Sequence, residues 1–290
     1  MPAPRPLWLA AAPIIFLTLW SAGFAVAKLG VEHAPPLTLL ALRYGLAVAV
    51  LLPVALVLRP PLPSARAAAD VAIVGFLIQV VYFGLCYLAF RAGVSAGGVA
   101  IVVCLQPILV ALAAPRFVGE TVGPRVWAGL ALGLAGAALV ILGRSAVAAE
   151  NLWGVALTVG ALFGITGGTL WEKRHGRGHH PVVANLIQYA VGAVCTLPMA
   201  LLLEDVTAIR WDGTFVAVLA YLVLGNSLLA ISLLMAMIRA GEVARVSALF
   251  YMVPALSALI AWPMLGEAMP PVAWAGMALA GLGVTLANRR

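Results

Sequence analysis

Apolar residues in this chain follow neither the alternation of a half-buried strand nor the one-sided stripe of a surface helix. They run on for about 20 residues at a time, the length a helix needs to cross roughly 30 Å of hydrocarbon. Charge-free runs of this kind lie at 7–27, 71–90, 92–115, 126–143, 151–171, 181–203, 213–238, 246–266 and 268–288. A tenth, 34–58, matches them except for a single charge at Arg43. The gaps between runs are short. The pattern predicts an all-α membrane protein of ten transmembrane helices with no room for an extramembrane domain. Residues 1–27 also fit a signal peptide with Ala25-Val26-Ala27 as a cleavage box. The run is long for a signal core, however, and the repeat described below counts it as a helix.

Composition sharpens this. Of 290 residues, 64% are hydrophobic and 9% charged, against about 25% charged in a soluble domain. So few charges cannot clothe a water-exposed surface, which excludes a soluble enzyme, a nucleic-acid-binding domain and a disordered scaffold. The net charge of +7 therefore reports orientation, not a nucleic-acid partner. Twelve basic residues flank one set of loops: Arg5, Arg59, Arg66, Arg116, Arg125, Lys173, Arg174, Arg177, Arg239, Arg245, Arg289 and Arg290. Only Lys28, Arg91, Arg144 and Arg210 flank the other. The bias predicts both termini in the cytoplasm. Three cysteines, all in apolar stretches, argue against a disulfide framework.

The chain repeats itself. RAGVSAGGVA at 91–100 returns as RAGEVARVSA at 239–248. At an offset of 147, Pro107 meets Pro254, Gly119-Glu120 meets Gly266-Glu267, Pro124 meets Pro271 and Trp127 meets Trp274. At an offset of 145, Pro36 meets Pro181, Tyr44 meets Tyr189 and Pro53 meets Pro198. Two five-helix repeats follow, 1–146 and 147–290. An odd helix count inverts the second repeat relative to the first. Inverted repeats suit secondary transporters, because exchanging conformations between halves exchanges the side from which a central site opens.

Trp20-Ser21, Leu42-Arg43-Tyr44 after Pro35-Pro36, and the two Gly-Glu turns followed by Trp-Ala-Gly helices resemble the ten-helix EamA-type branch of the drug/metabolite transporter superfamily. The resemblance covers the whole chain. Within that branch it is similar to exporters of aromatic and other amino acids, which implies a bacterial inner-membrane protein moving a small molecule by alternating access, with no cofactor.

Arg43 is the one charge well inside a span, roughly 10 Å from the nearer helix end. An intramembrane charge points to function by default. It is a candidate contact for a substrate carboxylate, or a structural donor to neighbouring helices; its repeat partner, Gln188, is neutral. Gln79, Asn226 and Ser227 place polar groups near the middle of the third and eighth spans. They are expected to line a cavity or to bond between helices. Trp20, Tyr82 and Tyr251 are candidate stacking surfaces for an apolar or aromatic substrate, with ordinary packing as the alternative, and Gln106 is a further cavity candidate. Pro107 and Pro254 predict matched breaks in the fourth and ninth helices, suited to a gate or hinge.

Small residues recur at Ala156, Gly160, Gly164 and Gly168, at Gly129 and Gly133, and at Gly276 and Ala280. They predict close helix contacts, with a monomer expected and a dimer through helices five and ten as the alternative. His175, His179 and His180 sit among basic residues with only Glu172 near, so a solvated loop is expected in place of a metal site. Every Asp and Glu lies at a helix end or in a loop. The substrate is accordingly expected to move down its own gradient, or with coupling through a helix-end carboxylate such as Glu32 or Glu267. A facilitator of drugs or other metabolites is the alternative within transport. A polytopic sensor or assembly subunit is the alternative outside it. Walker, HExxH and GxSxG motifs are absent, so neither ATP-driven transport within this chain nor common hydrolase chemistry is expected.

Overall fold

A computed structural model of the chain describes residues 7–94, 99, 102–144, 152–176, 179–241, 243–265 and 270–288. Arg5, Arg177, Gly266, Glu267, Arg289 and Arg290, named above, lie outside the described residues. The described residues form helices and no strands. Ten helical segments follow in order. They are α1 (Leu7–Val31), α2 (Pro36–Leu58), α3 (Ala65–Arg91), α4 (Gln106–Phe117), α5 (Pro124–Arg144), α6 (Leu152–His175), α7 (Pro181–Leu203), α8 (Gly213–Ala240), α9 (residues 243–265) and α10 (Pro271–Asn288).

Helix ends explain where the charges went. The third helix starts before its apolar run because Ser64 caps it, accepting from the Ala67 N–H, and Asp70 receives the Trp171 indole N–H at 3.2 Å. Glu204, at the end of α7, accepts from the N–H groups of Leu37 and Thr38 and from the Thr38 hydroxyl. It thereby satisfies free donors at the start of α2. Asp212 caps α8 through the Phe215 N–H, which holds its carboxyl below the usual carboxylate range. Gly119 sits at φ +70°, a conformation that glycine adopts without the Cβ clash. The chain turns there, and Glu120 accepts from the Val243 N–H at the start of α9 at 2.8 Å.

The packing repeats as the sequence does. α2 lies along α7 and α5 along α10. α6 packs on α3 and α4, and α1 packs on α8 and α9. The small-residue faces are used inside the chain. A Cβ on Gly136 would fall 2.3 Å from the Ala280 nitrogen, and one on Gly283 would fall 2.3 Å from the Gly133 nitrogen. The facing surfaces of helices five and ten are thus occupied by each other, and a dimer would have to form on their other faces. On α6, Gly164 and Gly168 press against Leu77, Ile78 and Tyr82 of α3.

Both breaks fall where the prolines predict. α4 begins at Gln106 directly after a turn at Cys104 and Leu105, and Pro107 occupies its first turn. In α9 a 3-10 turn, Leu249–Tyr251, joins Val243–Ala248 to Met252–Leu265, with Pro254 in the first turn of the second piece. Proline is tolerated at those positions because the N–H it lacks would have no helical acceptor. A second matched irregularity leaves no proline to mark it. The middle of α3 is π-helical over Phe76–Tyr82, and the middle of α8 over Tyr221–Ala230.

Candidate functional site

Arg43 lies two turns into α2 and is wholly buried. Its Nε donates to the Ser227 hydroxyl at 2.6 Å, Nη2 to Asn226 Oδ1 at 2.7 Å and Nη1 to the Tyr87 hydroxyl at 3.3 Å. The guanidinium carbon stands 4.4 Å from the Phe83 ring centroid and 5.7 Å from that of Tyr44. Three of five guanidinium donors are thus used, all by neutral oxygens. Among the described residues the ion pairs are His33–Asp212, Lys173–Glu120 and Arg239–Glu172. None reaches Arg43. A buried cation without a counter-ion is expensive, and neutral dipoles and π faces offset only part of that cost.

Beside the guanidinium is a contracted cavity of about 20 Å³, space for a water molecule. Its walls include Trp20 and Phe24 of α1, Tyr82, Phe83 and Tyr87 of α3, and Asn226 of α8. Trp20 stacks nearly parallel to Tyr82 (9° between planes, centroids 6.3 Å apart) and meets Phe250 edge-on at 5.6 Å. Ala27 and Phe90 also line the cavity; both lie near the helix ends at the face that carries Lys28. An oxyanion could enter the two spare donor positions, and the rings could clasp a flat or apolar group.

The opposite face is tied shut. Lys173 pairs with Glu120 at 2.9 Å and also donates to the Gly241 carbonyl. Glu172, fully buried, receives Arg239 Nε at 2.5 Å. These bonds join the ends of α4, α6 and α8 to the start of α9. Among the described helix-end carboxylates, Glu32 is exposed, whereas Glu172 is buried.

The structure brings together Trp20, Arg43, Tyr82 and Asn226 on the cavity wall, with Ser227 holding Arg43. It separates the other three cavity candidates from them. The Gln79 carbonyl accepts from the Tyr44 hydroxyl at 2.7 Å, and its side chain is buried behind the wall beside Gly192. The wide π turn rotates Gln79 away from the face of Tyr82 that an α-helical spacing would give it. Gln106 donates to the Thr169 and Ser247 hydroxyls at 3.4 Å each, forming a polar node between α4, α6 and α9. Tyr251 is inserted against Gly133 of α5. Pro254 borders a small separate cavity with Phe24, Val103, Cys104, Phe250 and Val253. Gly23, Cys86 and Phe90 were not singled out as cavity residues by sequence. They share helical faces with the candidates: 20, 23, 24 and 27 on α1, and 82, 83, 86, 87 and 90 on α3. No group of three metal-ligating side chains converges among the described residues.

Comparison with known proteins agrees with this architecture. The profile of the EamA-like transporter family matches residues 7–142 and again 152–289. The chain is 28% identical over 269 residues to the uncharacterized inner membrane transporter YedA of Escherichia coli, covering 92% of this chain and 86% of that one. It is 26% identical over 285 residues to a probable amino-acid metabolite efflux pump of Salmonella typhimurium, covering 95% and 91%. A solved crystal structure superposes with a TM-score of 0.81 over 97% of both chains at 21% identity, a likeness of fold alone.

Proposed function

The chain belongs to the EamA-like transporter family, and from that premise we propose that it exports amino acids with aromatic or apolar side chains. The observation that carries the reading is the Arg43 guanidinium, buried with no carboxylate partner among the described residues and walled by aromatic rings. A substrate carboxylate would complete its charge, and the side chain would lie among Trp20, Tyr82 and Phe83. One relative is named an amino-acid metabolite efflux pump, which supports the same substrate class.

The basic bias of the loops orients the face bearing Glu120, Lys173 and Arg239 toward the cytoplasm, with both termini on that side. The state described is then latched at the cytoplasmic face, its contracted cavity leading toward the outside. Exchange of conformations between the two halves opens the latch and closes the other face. Described spans place no carboxylate at the cavity, so the substrate moves down its own gradient.

Counterflow in proteoliposomes tests this directly. Vesicles loaded with unlabelled phenylalanine should accumulate labelled phenylalanine and leucine, and phenethylamine should neither enter nor compete. Equal handling of the acid and the amine would defeat carboxylate recognition. Absence of any exchange across a broad amino acid panel would defeat the substrate class and favour a drug or other metabolite substrate, or a non-transporting role.

A further inference from the structure

Away from the central site, two adjoining cavities form one amphipathic pocket. Between α3, α4 and α6 runs an apolar trough of about 760 Å³, walled by Leu77, Leu112, Phe117, Phe163 and Leu170 and ending at Arg174 and His175. Phe117 and Arg174 also border a polar pocket of about 540 Å³ that holds Arg116, Glu120 and Lys173. The acid in that pocket is already engaged: Glu120 binds Lys173 and the Val243 N–H. Arg116 and Arg174 are exposed, and neither has an ion pair among the described residues. His175 lies against Trp171 with ring centroids 4.6 Å apart, and its Nδ1 is buried without a hydrogen-bond partner.

The dimensions fit a lipid. Phe163 and Arg174 are eleven residues apart on α6, about 16 Å at 1.5 Å per residue. That is about half of the roughly 30 Å hydrocarbon thickness, so the trough reaches from mid-membrane to headgroup depth. We infer that this pocket binds one anionic phospholipid of the surrounding bilayer, its acyl chain in the trough and its phosphate between Arg116 and Arg174. A free anion would use only the polar part. A zwitterionic lipid carries its own cation and gains less from two arginines than an anionic one does. The inference depends on the membrane location of the chain and not on its substrate.

Native mass spectrometry of the full-length protein in detergent, with equimolar palmitoyl-oleoyl phosphatidylglycerol and phosphatidylcholine, reads the preference. Phosphatidylglycerol adducts should be retained roughly tenfold more, and Arg116→Gln with Arg174→Gln should erase the difference. Gly167→Leu should reduce retention of both lipids, because Gly167 lines the trough; a Cβ there stands 3.6 Å from Leu77 Cδ1, and the longer side chain projects into the space. Excess glycerol phosphate should displace neither lipid. Equal retention of the two lipids by the unmodified protein, a preference undiminished in the double arginine variant, or displacement by glycerol phosphate would each overturn the inference. The two arginines are exposed, so their replacement leaves the fold intact and the comparison decisive.

Discussion

Tyr44 and Tyr189 stand with ring centroids 5.9 Å apart, each donating its hydroxyl to a main-chain carbonyl in a π-helical stretch. Tyr44 bonds to Gln79 at 2.7 Å and Tyr189 to Ser227 at 2.5 Å. A π turn opens the regular ladder and leaves a carbonyl in need of a donor. The two tyrosines, equivalent under the repeat, supply it on either side of the pseudo-twofold axis. The groups around them are not equivalent. The repeat counterpart of Arg43 is the neutral Gln188, and Asn226 and Ser227 stand where the first half has Ile78 and Gln79. A symmetric frame therefore carries a one-sided candidate site.

Replacing Tyr44 or Tyr189 by phenylalanine should destabilise the protein by about 0.6–1.7 kcal/mol each, the range for a hydrogen bond within a membrane. Because the rings touch, the double variant should depart from the sum of the singles. Reversible unfolding in mixed micelles measures both. Single variants as stable as the original protein would mean the two carbonyls find other donors.

Arg43→Lys keeps the charge but removes the planar fork that reaches Ser227, Asn226 and Tyr87 together. Losing a charge-assisted bond of about 1.5–3 kcal/mol should raise the KM for counterflow by roughly 10- to 100-fold. Folding should be retained, as judged by monodispersity. An unchanged KM would show that the fork does not contribute to recognition.

Gly23→Ala should weaken recognition without replacing any polar side chain. The added Cβ would fall 2.4 Å from Asn226 Nδ2, so the amide must move and its Oδ1 leaves Arg43. A KM increase of several-fold is expected, about one weakened bond. Full activity in Gly23→Ala would place Asn226 outside the recognition machinery.

Glu120→Gln should loosen the latched face. It leaves Lys173 partly buried without its counter-charge, a change worth on the order of a few kcal/mol, enough to shift a conformational equilibrium at least tenfold. Native Cys86, on the cavity wall, reports the change. Its modification by an impermeant thiol reagent applied from the Lys28 face should slow by about tenfold, with Cys86→Ser as the blank. An unaltered rate would separate the ion pair from the conformational equilibrium.

Most of the frame was legible because hydrocarbon imposes it. Run length gave the ten helices, and matched prolines and Gly-Glu turns gave the repeat. Arg43 stood out for the same reason: a charge in a span is rare enough to notice. That Gln79, Gln106 and Tyr251 lie away from this cavity wall was not legible, because polarity and depth are readable along a span, whereas rotation about the helix axis is not. The π turns that set this rotation in α3 and α8 leave no composition signature. Tyr87 and Phe83 flank Arg43 through a tertiary crossing of α2 and α3 that no single-helix periodicity contains. The Glu120–Lys173 pair was equally hidden, since it joins positions 53 residues apart across a turn whose geometry depends on Gly119.

The glycine-lined seam between α5 and α10 has a consequence for biogenesis. Backbones meet there across Gly136 and Ala280, so α5 lacks its native partner on that face until α10 is made. From the end of α5 at Arg144 to the end of α10 at Asn288, translation at about 5–20 residues per second takes roughly 7–30 s. Throughout that interval the glycine face of a half-built protein must be shielded by lipid or by an insertion chaperone. Emergence of α10 is then the event that closes this seam.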